Sequence, residues 1–278
     1  MSATRCYHIK TGVLQPETVI ALLGDWPFSG FETEDGLVKA YIPEPKDSDV
    51  LAQALRQLSE RFGLTIEAET IPDINWNARW EESYKPVEID DFLRISAPFH
   101  PKVEGFKHEI VLIPEMSFGT GHHETTYLMS TYLRDYSPFG KTCFDFGTGT
   151  GVLAILAKKL GASHTIASDI DERCVTSTKE NSTRNGVVLE EIFQGTEDNL
   201  PDRPLDLILA NINRSVLVKT IPSLAIRLTD RGELWLSGIL DTDLAMIDEV
   251  ANSCALVRVE QRQKGKWLAC RYAPKNTT

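Results

Sequence analysis

The sequence predicts an α/β chain, a doubly wound sheet preceded by a small split β-α-β module. Three observations predict it. After residue 114, strand-length apolar runs alternate with helix-periodic segments, the pattern of a parallel sheet covered on both faces. A glycine-rich turn, Gly147-Thr148-Gly149-Thr150-Gly151, joins one such run to a helix. Residues 1–70 follow the order strand, helix, strand, strand, helix, strand.

Taking the elements in order, residues 7–10 predict a short edge strand. Pro16 and Glu17 open a helix carrying Val19, Ile20, Leu22 and Leu23, with proline in the favoured first turn. Strands at residues 28–34 and 37–42 flank Asp35-Gly36, a hairpin turn signal. Asp47 and Ser48 can cap a helix with Val50, Leu51, Ala54, Leu55 and Leu58 at helical spacing, and Gly63 ends it before a strand at residues 64–68. This order is ferredoxin-like. RNA-binding versions carry an aromatic and basic central strand, and Leu37-Val38-Lys39-Ala40-Tyr41-Ile42 does not match one. Residues 1–70 hold 6 Lys/Arg against 11 Asp/Glu, a net of −5, so the module reads as a protein-docking domain.

Residues 71–85 read as a connecting helix, because Trp76 and Trp80 are four apart and share a face. Residues 86–114 read as strands, including 109–113, and residues 86–278 form the second domain. Its strongest signal is Cys143-Phe144-Asp145-Phe146 running into the glycine turn and a helix from Val152 to Leu160. Glycines there let a ligand approach the backbone, and a helix N-terminus suits a carboxylate or phosphate. The next strand, residues 164–168, ends at Asp169, placed to accept the hydroxyls of a ribose. Asp171 reads as a helix cap. Residues 205–213 read as a buried strand ending in polar residues, which aims Asn211 at the same crevice.

Composition bounds the functions available. Of 278 residues, 42% are hydrophobic and 25% charged, the balance of a globular protein. No apolar run approaches the roughly 20 residues of a membrane helix, and residues 1–10 lack a signal-peptide pattern, so the expected location is the cytoplasm. The net charge of −11 disfavours direct nucleic-acid binding. Five scattered cysteines read as free buried thiols. No Cys-x-x-Cys occurs, and the His-Glu pairs at 108–109 and 123–124 lack the second histidine of a zinc protease, so no metal site is expected.

The turn does not fit the dinucleotide fingerprint, since Val152 stands where the last glycine or alanine belongs. Its Asp-x-Gly-x-Gly-x-Gly spacing resembles class I S-adenosylmethionine-dependent methyltransferases. Upstream, Phe118-Gly119-Thr120-Gly121-His122-His123-Glu124-Thr125-Thr126 closely resembles the Phe-Gly-Thr-Gly-x-His-x-Thr-Thr signature of the PrmA family of ribosomal protein methyltransferases. The resemblance extends through residues 76–85, Asp169-Ile170-Asp171, residues 181–186, Ala210-Asn211-Ile212 and residues 236–240. The chain departs from the family pattern at His122, at Glu124 in place of the usual proline, and at Asn213-Arg214-Ser215.

The resemblance implies a Rossmann-like class I methyltransferase domain behind a ferredoxin-like substrate-recognition domain. It implies S-adenosylmethionine as cofactor, held by Thr126, Gly147, Asp169 and Asn211. It implies a protein substrate, large-subunit ribosomal protein eleven at the base of the factor-binding stalk, modified on lysine side chains or its α-amine. No catalytic base stands out; Asn211 is the candidate for orienting the amine, and His122 or His123 could accept a proton. A nucleic-acid amine methyltransferase is the alternative. Such enzymes commonly carry an aromatic residue after Asn/Asp-Pro-Pro, where this chain has Asn211-Ile212-Asn213-Arg214. A non-catalytic adaptor with a vestigial cofactor fold is the other.

Overall fold

The structure, a computed structural model, describes residues 3–71, 84–113 and 124–275. The connecting helix expected around Trp76 and Trp80, the residues His122 and His123, and residues 276–278 lie outside the described residues. The chain divides into two compact units, Met1–Tyr84 and Lys85–Thr278.

In the first unit, β1 (Thr4–Lys10), α1 (Pro16–Leu23), β2 (Gly30–Glu34), β3 (Leu37–Pro43), α2 (Asp49–Phe62) and β4 (Thr65–Ile71) follow one another. The strands form an antiparallel sheet in the order β2-β3-β1-β4. β1 was expected at an edge but is central, pairing with β3 on one side and β4 on the other. Its alternation explains the choice: Tyr7 and Ile9 are 6% and 0% exposed, beside Val38, Ala40 and Ile42 in the core. Asp35 and Gly36 both take positive φ, 37° and 79°, as a tight hairpin turn requires. Ser48 caps α2 by accepting from the Leu51 N–H, whereas Asp47 accepts from the Tyr7 hydroxyl at 2.7 Å. Val50 does not join the core and stands 67% exposed. Gly63 ends α2 in the left-handed region.

The second unit opens with a three-stranded sheet of β5 (Val87–Ile89), β6 (Leu93–Ser96) and β7 (His108–Val111), in that order. Then come α3 (Glu124–Asp135), β8 (Thr142–Phe146), α4 (Val152–Lys159), β9 (His164–Asp169), α5 (Glu172–Arg184), β10 (Glu191–Gln194) and β11 (Leu205–Asn211). The unit ends with α6 (Arg214–Ala225), β12 (Leu228–Leu240), α7 (Leu244–Ser253), β13 (Leu256–Lys264) and β14 (Trp267–Pro274).

Seven strands form the main sheet in the order β10-β9-β8-β11-β12-β14-β13. The pairings from β10 to β12 are parallel, as the alternating pattern predicts. β14 runs antiparallel to both neighbours, so the sheet is not uniformly parallel. The cause is local: Lys264 pairs with Trp267 across a hairpin turn containing Gly265 at φ 56°, far too short for a parallel crossover.

β11 is buried on both faces. Leu207 and Leu209 enter one core with Tyr132 and Trp235, while Ile208 and Ala210 enter the other with Phe144 and Leu236. That two-sided burial is why β11 reads as a continuous apolar run. All five cysteines are free; four are buried, but Cys254 is only half-buried, contrary to expectation. Among the described residues, no helix is long and apolar enough to cross a membrane.

Candidate functional site

The chain leaves β8 outward to β9 and β10, then crosses back to β11 on the other side of β8. Such a switch point opens a crevice at the carboxyl ends of the strands, where ligands bind in open α/β sheets. Gly147 follows β8, Asp169 ends β9 and Asn211 ends β11, so three sequence-predicted residues fall on three adjacent strand ends. Thr126 comes from α3, two residues after the helix begins, and is 2% exposed.

The glycine turn is anchored by its neighbours. Gly147, Gly149 and Gly151 have φ of 74°, 58° and 83°, a region costly for residues with a β-carbon. The Gly147 and Thr148 N–H groups both donate to the Ser168 carbonyl at 2.9 Å, docking the turn onto the end of β9. Gly149 N–H donates to Asp169 Oδ2 at 2.9 Å, and Asp171 N–H donates to Oδ1 at 3.0 Å. The half-buried Asp169 carboxylate is thereby oriented, with lone pairs to spare.

Asp145 has a different task. It is 2% exposed, and its Oδ2 accepts from Thr148 Oγ1 at 2.7 Å and from Ala154 N–H at 3.1 Å. It therefore ties the turn to the first turn of α4, where a carboxylate also meets the positive helix end. Burial pushes its pKa up to about 7, and the Asp169 charge adds to the rise, against the two hydrogen bonds.

Sequence reasoning missed the brace supplied by α5. Thr178 Oγ1 donates to the Gly149 carbonyl at 3.0 Å, and Asn181 Nδ2 donates to the Thr150 carbonyl at 3.0 Å. Asn181 Oδ1 also accepts from Ile113 N–H at 3.2 Å. Asn185 exchanges two bonds of 2.8 Å with the backbone of Val111. The available signal was polar residues at 178, 181 and 185, a helical spacing that faces the sheet. Asp171 caps α5 as expected, accepting from Arg173 N–H at 2.9 Å.

Asn211 is half-buried and sits in register with Ser237 of β12. Its amide has no hydrogen-bond partner among the described residues, so its donors and acceptor are available. Asn213 instead caps α6, accepting from Val216 N–H at 3.1 Å.

A family model described as ribosomal protein L11 methyltransferase (PrmA) matches residues 26–275. The chain belongs to that family. A ribosomal protein L11 methyltransferase of Porphyromonas gingivalis is 40% identical over 261 residues, covering 91% of this chain and 89% of that one. Its counterpart in Chlorobaculum tepidum is 35% identical over 269 residues, covering 94% and 93%. A crystal structure titled ribosomal protein L11 methylase, from Lactobacillus delbrueckii subsp. bulgaricus, superposes with a TM-score of 0.64 at 28% identity, covering 69% of this chain and 99% of that chain. Membership in the PrmA family accords with the class I strand order at the switch point.

Proposed function

We propose that this chain moves methyl groups from S-adenosylmethionine to amines of ribosomal protein L11, in the cytoplasm. One observation carries the reading: the family match spans residues 26–275 and so takes in the glycine turn, Asp169 and Asn211 together.

The residues at the strand ends suit that cofactor. Asp169 keeps spare lone pairs for ribose hydroxyls, since each oxygen takes one backbone N–H. Gly147 presents backbone without a side chain, the buried Thr126 adds a hydroxyl, and Asn211 adds an amide with no partner among the described residues. When bound, S-adenosylmethionine supplies a methyl carbon on a positive sulfur, and the chain supplies position and electrostatics.

An attacking amine must be neutral. A lysine side chain has a reference pKa of about 10.4 and an α-amine about 7.7–8.0, so lysine depends on its surroundings to lose the proton. Removal from water lowers that pKa by desolvating the ammonium. In this reading the Asn211 carbonyl oxygen accepts an amine N–H and leaves the nitrogen lone pair free to react. The first unit, with its net charge of −5 over residues 1–70, docks the basic ribosomal protein, whose place is the stalk base.

The test is transfer from isotopically labelled cofactor to purified L11, with ribosomal RNA offered in parallel and the products read by mass spectrometry. Label on L11 lysines or its α-amine is expected. Label confined to RNA would establish the nucleic-acid alternative, and cofactor binding with no transfer would establish the adaptor.

A further inference from the structure

The face of the first unit's sheet opposite its helical core holds a side-chain cluster that methyl transfer does not use, with Cys6 itself buried. Cys6 and His8 are two apart on β1, so both leave the face opposite Tyr7 and Ile9. Antiparallel pairing sets Glu69 of β4 directly across from Cys6. The Cys6 Sγ, a His8 ring nitrogen and a Glu69 carboxylate oxygen lie within 4.8 Å of one another. His8 Nε2 and Glu69 Oε1 are already 2.9 Å apart.

We propose that Cys6, His8 and Glu69 bind one divalent transition-metal ion of the zinc type, with water in the remaining position. Bond lengths of about 2.3 Å to sulfur and 2.0–2.1 Å to nitrogen or oxygen put tetrahedral donors about 3.3–3.6 Å apart. The side chains of His8 and Glu69 are 29% and 61% exposed, so torsions about their own bonds reach that spacing without moving the sheet. The donor set selects the ion: a thiolate with imidazole suits zinc or cobalt, whereas magnesium and calcium take oxygen cages.

The surroundings define the cost. Burial, Glu69 and Glu32 raise the Cys6 thiol pKa, while Tyr41 and Lys39 lower it. The ion must therefore displace a proton from Cys6. Lys39, the nearby cation, is paired with Glu34 at 3.2 Å. The three ligands span 61 residues between His8 and Glu69, so no short cysteine motif announces them. Bound there, the ion would cross-link the central strand β1 to the edge strand β4.

The experiment titrates Co²⁺ into the full chain after chelator treatment, followed by Zn²⁺ competition. One equivalent of Co²⁺ should produce a thiolate-to-cobalt charge-transfer band that Zn²⁺ abolishes. Cys6→Ser should remove the band, and His8→Gln and Glu69→Gln should each weaken Co²⁺ affinity roughly 10-fold or more. The last two positions are partly exposed, so they keep the test decisive if Cys6→Ser fails to fold. Absence of the band in the wild-type chain, its persistence in folded Cys6→Ser, or unchanged affinity in both other variants would overturn the proposal. Methyl transfer to L11 has no part in any of these readouts.

Discussion

Ile212 places its Cγ2 methyl 2.3 Å from where a β-carbon on Gly147 would stand. The residue after Asn211 thus fills the space that a side chain at 147 would need. The carbonyl oxygen of the same Ile212 lies 2.1 Å from the β-carbon position of Gly238 in β12. Two glycines, one just after β8 and one in β12, the strands on either side of β11, clasp the turn that follows Asn211.

Gly147→Ala should therefore harm the site twice. The left-handed φ of 74° costs roughly 1–2 kcal/mol for a residue with a β-carbon, and the Ile212 methyl must also move. S-adenosylmethionine affinity should fall about 10-fold or more, which is ~1.4 kcal/mol by calorimetry. Adding Ile212→Ala should recover part of the loss, because it removes the obstructing methyl. The same second change should not rescue Gly238→Ala, whose obstacle is main chain. Equal rescue of both would refute the clasp.

Asp169→Ala should weaken the cofactor by about 1.5–3 kcal/mol, the usual worth of a hydrogen bond to a charged group. It also strips acceptors from the Gly149 and Asp171 N–H groups, so Asp169→Asn should not restore full affinity. An amide offers one acceptor oxygen where the site presents two donors. Full affinity in Asp169→Ala, with circular dichroism unchanged, would remove Asp169 from the site.

Asp145 makes stability depend on pH in an uncommon direction for a carboxylate. Burial raises its pKa to about 7 from 3.8, so between those values the folded chain holds the proton more tightly than the unfolded chain. Its contribution is present below the unfolded pKa and is lost as pH rises through the folded one, at up to about 1.4 kcal/mol per pH unit. Urea unfolding of the wild type and Asp145→Asn across pH 4–8 isolates this contribution. The wild type should lose stability relative to the variant as pH rises; parallel curves would show that Asp145 titrates normally.

A truncated chain beginning at Lys85 should still bind S-adenosylmethionine. The second unit contains its own hydrophobic cores, and Gly147, Asp169 and Asn211 all lie within it. On intact L11 its kcat/KM should drop by about 100-fold or more if the first unit supplies docking energy of ~3 kcal/mol. Unchanged kcat/KM would assign Met1–Tyr84 another role.

Much of this protein was written in short stretches of sequence. Asp35-Gly36 specified its turn, Ser48 and Asp171 their caps, and Gly63 a helix end, because each acts through backbone groups within a few residues. The glycine turn, Asp169 and Asn211 were legible for a related reason. A strand's apolar run points its last residue toward the crevice at the sheet's carboxyl edge.

What only the tertiary structure decided depends on pairing between distant segments. Residues 7–10 say nothing of whether one neighbour or two will bond to them; β1 became central because β3 and β4 both found it. Asp47 looked as able to cap α2 as Ser48, until the Tyr7 hydroxyl, 40 residues away, claimed it. The clasp of Ile212 by Gly147 and Gly238, the α5 brace on the turn, and the meeting of Cys6 with Glu69 share that origin. Side-chain chemistry is fixed residue by residue, but the register that brings two side chains together is set by burial summed over the whole sheet.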